Sequence, residues 1–283
     1  MFRSIALGGG GVRGGLHVGG LSAIEKLRGN LEFPEGIYGS SIGAVIATAV
    51  AYNLNASQIR TMFDEHFHMS KAIPSLSLSS IHSLGYKKGL FPMDSFEQSL
   101  IDIFMSQGID LRNKTISDSP QKLYIVASNM TTCKPTLLTG DVPLLKSILC
   151  SCCLPFVFQP QVLYNNLYLD GGICLHSLDD IVPKDCLVLH ISRSARPVHV
   201  SNFEETGLLD FLGHIYEVSR KTPLGNNTIW FQNDDVSILQ ELTPAIKQAL
   251  YDQGRSQAFT FFAKRASEET EKGIHGSSAN VII

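Results

Sequence analysis

The sequence predicts an α/β fold, a three-layer α/β/α sandwich around a central, mostly parallel sheet. Short, continuous apolar runs, typical of strands buried on both faces, alternate with helical patterns along the chain. Two of the predicted strands end in glycine-rich turns that open a helix. With 283 residues, of which 44% are hydrophobic, the chain can bury a sizeable core without disulfides.

The first half of the chain supplies two strand–turn–helix units. Apolar residues at helical spacing follow the first glycine loop, and the helix after the second strand is small and apolar on all sides, which suits a central buried helix. The predicted elements are a strand over Phe2–Leu7, a helix over Val12–Arg28, a strand over Gly36–Tyr38, a helix over Ile42–Tyr52 and a helix that Ser57 caps and that runs to about Phe67.

Residues 69–92 are rich in Ser, Gly and Pro with scattered apolar residues, which indicates a lid-like surface insertion. The remaining predicted elements are a helix over Asp94–Met105, strands over Leu123–Ser128, Cys186–Ser192 and Thr228–Gln232, and a helix over Thr243–Ala266. We therefore predict a core over residues 1–192, an extension of the same domain over 193–267 and a loose tail over 268–283.

The charge pattern excludes some function classes. Only 17% of the residues are charged and the net charge is −3, whereas a nucleic-acid-binding domain is usually basic. The longest apolar run, residues 42–52, is too short to span a bilayer, and residues 1–7 meet a glycine loop at once rather than forming a signal peptide. We expect a cytoplasmic or peripheral membrane protein whose membrane approach depends on apolar insertion rather than on a basic patch.

Six cysteines are present, and their spacing favours free thiols over disulfides or a metal site. Cys150, Cys152 and Cys153 are too crowded for separate bridges, and no second Cys/His pair stands at zinc-finger spacing. We expect mostly buried, reduced thiols, and neither a metal nor a cofactor.

The segment Gly39-Ser40-Ser41-Ile42-Gly43 fits the Gly-x-Ser-x-Gly pattern of a nucleophile elbow. It follows a short strand and opens an apolar helix, so the Ser41 hydroxyl would project from a tight turn near the positive end of the helix. An ordinary glycine-rich turn is the alternative. The elbow comes after only two strands, which is too early for the usual α/β-hydrolase topology.

The loop from Gly8 to Gly14 allows successive backbone N–H groups to point at one anion. A dinucleotide phosphate is one possible ligand, because Gly9, Gly11 and Gly14 fit Gly-x-Gly-x-x-Gly, although no acidic residue closes a second strand at the usual distance. The oxyanion of an ester intermediate is the other, with Arg13 helping to hold the loop, and the nearby elbow favours it.

Asp170-Gly171-Gly172 follows a short apolar strand. By itself this pattern is most simply a hairpin turn. Among the nine histidines none has a distinctive setting, and His176 is the best candidate for a third member of a serine-hydrolase triad because it follows Asp170 closely.

Taken together, Gly8–Gly14, Gly39–Gly43 and Asp170–Gly172 resemble, in this order, the three motifs of the patatin-like phospholipase family. The stretch Ser151–Phe158 is similar to the family's Ser-x-x-x-Pro-x-x-Phe segment, and the resemblance covers residues 3–192. Two departures concern substrate preference: Gly8 stands where the family often has Asp, and Cys174–Leu178 stands where it often has Asn-x-Pro.

The resemblance implies a patatin-like fold and a Ser-Asp dyad without histidine. Ser41 would attack an ester carbonyl and Asp170 would act as base. Gly9, Gly10, Gly11 and Arg13 would form the oxyanion hole. The motif-supporting residues would be Gly39, Gly43, Gly171 and Gly172.

The implied function is that of a lipid acyl hydrolase that contacts membranes peripherally and needs no metal or cofactor. The lid-like segment could touch a lipid surface, or it could be a packed surface loop. The alternatives are a catalytically silent scaffold of the same fold and a nucleotide-binding α/β protein. The sequence points to no particular activating protein partner and to no nucleic acid.

Overall fold

The computed structural model describes residues 2–175, 177–192, 199–207, 211, 225–233 and 235–277. Its main sheet has the strand order β10-β9-β1-β2-β4-β8-β7, with β5 paired to β4 beside this path, and β3 and β6 form a separate pair. The strands are β1 (Ser4–Leu7), β2 (Gly36–Ser40), β3 (Gly89–Phe91), β4 (Leu123–Asn129), β5 (Lys134–Leu138), β6 (Phe156–Phe158), β7 (Gln161–Leu163), β8 (Asn166–Leu169), β9 (Leu187–Ile191) and β10 (Thr228–Phe231).

Five neighbouring strands, from β10 to β4, are parallel, and β5, β7 and β8 join by antiparallel pairing. The helices that flank this sheet are α1 (Gly15–Arg28), α2 (Ile42–Ala51), α3 (Ala56–Thr61), α4 (Met69–Ala72), α5 (Leu78–Lys87), α6 (Asp94–Met105), α7 (Leu144–Ser151) and α8 (Pro244–Ser277). The predicted α/β fold with a central, mostly parallel sheet is confirmed.

The larger core lies on the face of the sheet that α1, α2 and α7 cover. In β1, Ile5 and Leu7 point into this core while Ala6 points to the opposite face, as the two-residue period of a strand requires. Helix α8 crosses α1 at close range: a Cβ at Gly19 would lie 2.0 Å from the carbonyl oxygen of Tyr251. Glycine at this crossing lets the two backbones touch.

The opposite face carries a smaller apolar cluster. In the described part of the chain, residues 173–175 and 177–182 cover it and include a 3₁₀ turn at Leu178–Asp180. Leu175 and Leu178 pack there on Tyr38, Val126 and Val188 of the sheet.

Strands β2 and β8 pair with the same edge of β4, one after the other. Strand β5 pairs with the first edge of β4 at residues 125–129. The second edge pairs with β2 at residues 123–126 and with β8 at residues 128–129. Because β2 is parallel and β8 antiparallel to β4, the last residues of both strands meet head to head. The topology thus brings Ser41 and Asp170, each one residue past its strand, to one place.

The lid-like segment is more ordered than its composition suggested. It contains helices α4 and α5 and strand β3, and α5 begins with a capping box between Ser77 and Ser80. The helix expected over 57–67 is α3 followed by a π-helical turn at Met62–His66. Its cap is Asn55, in a capping box with Gln58, rather than Ser57.

The last helix ends later than we predicted. Helix α8 continues to Ser277, whereas we expected an end near residue 266 and a loose tail over 268–283, and residues 278–283 lie outside the described part. Residues 267–277 contain no proline, and the hydroxyls of Ser267 and Thr270 donate to carbonyls of the preceding turn. We predicted a loose tail because the segment is polar, and a polar composition alone does not end a helix.

Among the described residues, no helix is both long enough and apolar enough to cross a membrane. All six cysteines are free thiols. Cys133 is exposed and Cys174 partly buried, whereas Cys150, Cys152, Cys153 and Cys186 are buried, so the predicted free and mostly buried thiols are confirmed.

Candidate active site

Ser41 occupies the turn between β2 and α2 in a strained conformation. Its φ of 56° and ψ of −130° lie outside the regions that residues with a Cβ usually adopt. Its backbone N–H donates to the hydroxyl of Ser151 at 2.8 Å, and its carbonyl accepts from the N–H of Ala44. The surrounding contacts therefore hold the backbone conformation that a nucleophile elbow needs.

Glycines on both sides of Ser41 are required by close backbone approach. A Cβ at Gly39 would lie 2.5 Å from the Cα of Ala44, and one at Gly43 would lie 2.0 Å from the carbonyl oxygen of Leu7. Helix α2 therefore packs directly on the ends of β1 and β2. The Gly-x-Ser-x-Gly pattern is explained by this packing.

The glycine loop after β1 lies next to the elbow. A Cβ at Gly9 would be 3.2 Å from the Cβ of Ser41 and 3.8 Å from its Oγ. In the described part of the chain, the N–H groups of Gly9 and Gly10 donate to no backbone carbonyl, and both residues are partly exposed. Gly9 thus faces the Ser41 side chain at close range, and the N–H groups of Gly9 and Gly10 remain available to an acceptor in the site.

The far end of the loop faces another segment. Gly11, with a φ of 57°, would place a Cβ 2.1 Å from the carbonyl oxygen of Ile238, and that oxygen accepts from the N–H of Val12 at 3.0 Å. Arg13 is buried, and its guanidinium donates to the carbonyls of Gly10 and Asn233. Its contacts hold the loop in shape.

Asp170 is held at the end of β8 by its neighbours. Its N–H donates to the carbonyl of Cys153, its carbonyl accepts from the Ser128 hydroxyl, and its Oδ1 accepts from the N–H of Gly172 at 2.8 Å. The residue is 4% exposed. At Gly171 a Cβ would lie 2.5 Å from the Oγ of Ser40, so the Asp-Gly-Gly turn touches the elbow directly.

Ser151, the last residue of α7, joins the two halves of the site. Its Oγ accepts from Ser41 N–H and donates to the carbonyl of Val126 at 2.6 Å, and its own carbonyl accepts from Gly171 N–H at 3.1 Å. One residue therefore binds the backbone on both sides of the site. The sequence contained Ser151 in a family-like stretch, but nothing local indicated this role.

Two buried thiols lie close to Asp170. Burial raises the pKa of Cys152 and of Cys153, and the nearby negative charge of Asp170 raises both further. Both thiols stay protonated near neutral pH and are poor nucleophiles. Among the described residues no group of three His, Cys, Asp or Glu side chains could hold a metal ion.

His17, which the sequence did not single out, is fully buried beside the glycine loop. Its Nε2 lies 2.8 Å from the carbonyl oxygen of Gly8, and because burial lowers the pKa of His17 to about 4 the neutral ring donates this bond. His190, on β9, packs against Trp230 near Gly8. His176, our candidate third member, lies outside the described residues.

Two hollows adjoin the elbow. A cleft opens on the loop side; with the open solvent at its mouth included it measures about 260 Å³, and it is lined by Gly8, Gly9, Ser40, Gly171, Gly172, Leu175, Ser177, Leu178 and His190. A narrow apolar pocket lies under α2 and measures about 330 Å³ with open solvent included. It is lined by Ile42, the residue after Ser41, and by Val18, Val45, Ile46, Ala49, Ile59, Met62, Phe63, Phe67 and Ile103.

The arrangement has the parts of a hydrolytic site. A strained serine lies at the carboxyl ends of parallel strands, a common place for ligands in α/β sheets, with a glycine loop on one side and a buried aspartate on the other. Such a group of residues can support nucleophilic attack on a carbonyl carbon.

Comparison with known proteins gives a family model, described as patatin-like phospholipase, that matches residues 5–177, more than half of the chain. The uncharacterized protein R571 of Acanthamoeba polyphaga mimivirus is 29% identical over 181 residues, which are 62% of this chain and 59% of that protein. The uncharacterized protein YqhO of Bacillus subtilis is 24% identical over 184 residues, 58% of this chain and 61% of that protein. The match therefore spans about three fifths of each relative's length.

A solved structure has a similar fold. The crystal structure of VipD from Legionella pneumophila superposes with a TM-score of 0.57 at 14% identity and covers 93% of this chain and 67% of that one. At this identity the likeness concerns the fold alone.

Proposed function

Because this chain belongs to the patatin-like phospholipase family, we propose that it is a serine acyl hydrolase that cleaves fatty-acyl ester bonds of phospholipids or other lipids. The observation that carries the proposal is the Ser151 junction, which holds the strained Ser41 and the turn after Asp170 in one place beside an open glycine loop.

In the proposed reaction the Ser41 Oγ attacks the ester carbonyl carbon while Asp170 takes the hydroxyl proton. The carbonyl oxygen becomes an oxyanion. When the tetrahedral intermediate collapses, the bond to the alcohol breaks and Asp170 returns the proton to the leaving oxygen, which yields an acyl-enzyme on Ser41. Water, deprotonated by Asp170, then attacks the acyl carbon and releases the fatty acid and the free Ser41 hydroxyl.

The oxyanion would be stabilised mainly by backbone N–H groups of the glycine loop. Gly9 faces Ser41, and the N–H groups of Gly9 and Gly10 use no backbone acceptor among the described residues. The positive end of α2 adds to this stabilisation. We assign Arg13 and Gly11 to holding the loop, since their contacts go to the segment that contains Asn233 and Ile238.

The apolar pocket under α2 supports a fatty-acyl substrate. Ile42, directly after the proposed nucleophile, is one of its lining residues, and the lining residues are all apolar. An acyl chain bound there would leave its carbonyl carbon near Ser41, while the polar alcohol part would remain toward the cleft and solvent.

The deciding experiment is covalent labelling with an alkyl fluorophosphonate, combined with measurement of fatty acid released from phospholipid vesicles. We expect labelling of Ser41 in the wild type, no labelling or release in Ser41→Ala, and loss of release in Asp170→Asn with the fold retained by circular dichroism. Ser147→Ala is the matched control, because Ser147 is a buried serine one turn before Ser151 whose hydroxyl donates to the carbonyl of Pro143, the residue before α7.

Two results would count against the proposal. Release retained by Ser41→Ala would rule out Ser41 as the nucleophile. A wild-type protein that is folded but is neither labelled nor active would instead be a silent scaffold of the same fold.

A further inference from the structure

We propose that helix α5 docks on a lipid bilayer and inserts its outward apolar side chains, so that the site takes substrate from the membrane surface. This inference rests on the proposed function. The surface, which we call the α5 patch, consists of Leu76, Leu78, Ile81 and Tyr86 together with Phe156 of the neighbouring strand β6.

The α5 helix is amphipathic with its apolar face turned away from the protein. Leu78 is 87% exposed, Ile81 52% and Tyr86 76%. Positions 78, 81, 82 and 86 fall on one face at helical spacing, and the centroids of the His82 and Tyr86 rings lie 4.7 Å apart with the rings tilted by 40°. An isolated exposed leucine would be ordinary, but a whole apolar face directed to solvent indicates a partner.

The opposite side of α5 carries serines that are bound to the protein. Ser80 is the only buried residue of the helix, the Ser83 hydroxyl donates to the carbonyl of Gly89, and Gln159 donates to Ser83 at 3.0 Å. These contacts orient the helix, so its outward face is a fixed feature of the fold. Strand β3 pairs with β6 and brings the half-exposed Phe156 alongside.

The charges around the patch favour an anionic lipid surface as the partner. Between Glu65 and Asp94 the only charged residues are Lys71, Lys87 and Lys88, although the chain as a whole has a net charge of −3. An apolar helix face flanked by lysines and a tyrosine is typical of segments that lie at a membrane interface.

A chain of hydrogen bonds connects this helix with the candidate site. Gln159 donates to Ser83 of α5, the Cys153 thiol donates to the carbonyl of Gln159 at 3.2 Å, and Asp170 N–H donates to the carbonyl of Cys153 at 2.8 Å. The segment 153–159 therefore supports α5 at one end and Asp170 at the other. Docking through α5 would bring the site close to the lipid surface.

The test uses the double variant Leu78→Gln/Ile81→Gln in the Ser41→Ala background, so that vesicles are not consumed. Co-sedimentation is measured with vesicles of phosphatidylcholine alone and of phosphatidylcholine with phosphatidylserine. We expect at least about tenfold weaker vesicle binding than in Ser41→Ala alone, because two large apolar side chains no longer enter the bilayer.

The matched control is Leu27→Gln/Val162→Gln in the same background, which removes two comparably exposed apolar side chains far from α5 in the sequence. Binding should be unchanged in this control. Lys87→Gln/Lys88→Gln should weaken binding to the anionic vesicles by about tenfold and leave binding to phosphatidylcholine vesicles unchanged. Raised salt should remove only the electrostatic contribution that these two lysines make. Equal loss in the control, or unchanged binding in Leu78→Gln/Ile81→Gln, would overturn the proposal.

Activity separates this inference from the proposed function. With Ser41 present, Leu78→Gln/Ile81→Gln should hydrolyse a soluble short-chain nitrophenyl ester at the wild-type rate and vesicle lipid at least about tenfold more slowly, in proportion to the lost binding. If the protein binds vesicles through α5 but hydrolyses neither substrate, the docking surface stands and the proposed activity fails. If the wild type binds no vesicle, the docking surface is wrong and a protein partner is indicated.

Discussion

The hydroxyl of Ser151 accepts a hydrogen bond from the backbone N–H of Ser41 at 2.8 Å, although the two residues are far apart in the sequence. Ser41 is only 8% exposed and adopts a strained backbone conformation. The Ser151 hydroxyl therefore supplies an acceptor for an N–H group that would otherwise be buried without one. The strain at the elbow is thus supported by a residue of another helix.

We predict that Ser151→Ala lowers kcat by roughly 10- to 100-fold, because the nucleophile loses the contact that holds its backbone. Loss of the partner of a buried N–H should also reduce the free energy of unfolding by about 1–3 kcal/mol. Kinetics on a soluble ester and urea denaturation measure the two effects. Ser147→Ala removes the hydrogen bond from the Ser147 hydroxyl to the Pro143 carbonyl and should leave kcat unchanged. A wild-type kcat in Ser151→Ala would show that the contact between Ser151 and Ser41 is dispensable.

Two glycine substitutions should separate folding from chemistry. In Gly43→Ala the new Cβ would lie 2.0 Å from the backbone oxygen of Leu7, so we expect loss of the folded protein. In Gly9→Ala the nearest atom is the Cβ of Ser41 at 3.2 Å, so we expect a folded protein with strongly reduced fluorophosphonate labelling. Thermal unfolding and labelling distinguish the outcomes. A fully active Gly9→Ala would contradict the close approach of Gly9 to the reacting group.

Burial of His17 makes stability depend on pH. The folded pKa is about 4 and the ordinary value is 6.5, so between these values the unfolded chain binds more protons and stability falls as the pH falls. Above about pH 7.5 the ring is neutral in both states and contributes almost no pH dependence. Lowering the pH from about 7.5 to about 4.5 should therefore reduce the free energy of unfolding by about 2–3 kcal/mol through His17 alone.

The matched variant for this prediction is His17→Gln, which keeps an amide donor for the Gly8 carbonyl but does not titrate. Urea denaturation at both pH values measures the free energy of unfolding. Over this interval the free energy of unfolding should fall by about 2–3 kcal/mol less in the variant than in the wild type. Identical pH dependence in the two proteins would exclude His17 as the source.

Lys247 joins α8 to the π-helical turn. The side chain is buried, and its Nζ donates to the carbonyls of Phe63, Asp64 and Phe67 at 2.7–3.0 Å. Lys247→Met would leave these acceptors without the ammonium group, and we expect a loss of about 2–4 kcal/mol in the free energy of unfolding. Lys264→Met, at an exposed position of the same helix, should change it by less than about 0.5 kcal/mol. Similar values for both variants would contradict this role.

Prediction from the sequence succeeded where the information is local. The apolar runs of β4 and β9 and the all-apolar α2 were recognisable because burial on both faces leaves a continuous hydrophobic segment. It did not predict the helix α5 within the lid-like surface insertion. Ser80 and Ser83 turn toward the protein, whereas Leu78, Ile81 and Tyr86 turn outward, which reverses the usual hydrophobic pattern of a helix.

The sequence by itself determined the α/β class, the elbow at Ser41 and the glycines around it, because tight turns and close backbone approach restrict the residues that can occupy those positions. Only the tertiary structure decided that β8 pairs with the same edge of β4 as β2 does, that Ser151 binds both sides of the site and that His17 donates to the Gly8 carbonyl. These relations join segments through nonlocal strand pairing and side-chain packing, and neither leaves a periodic pattern in the chain.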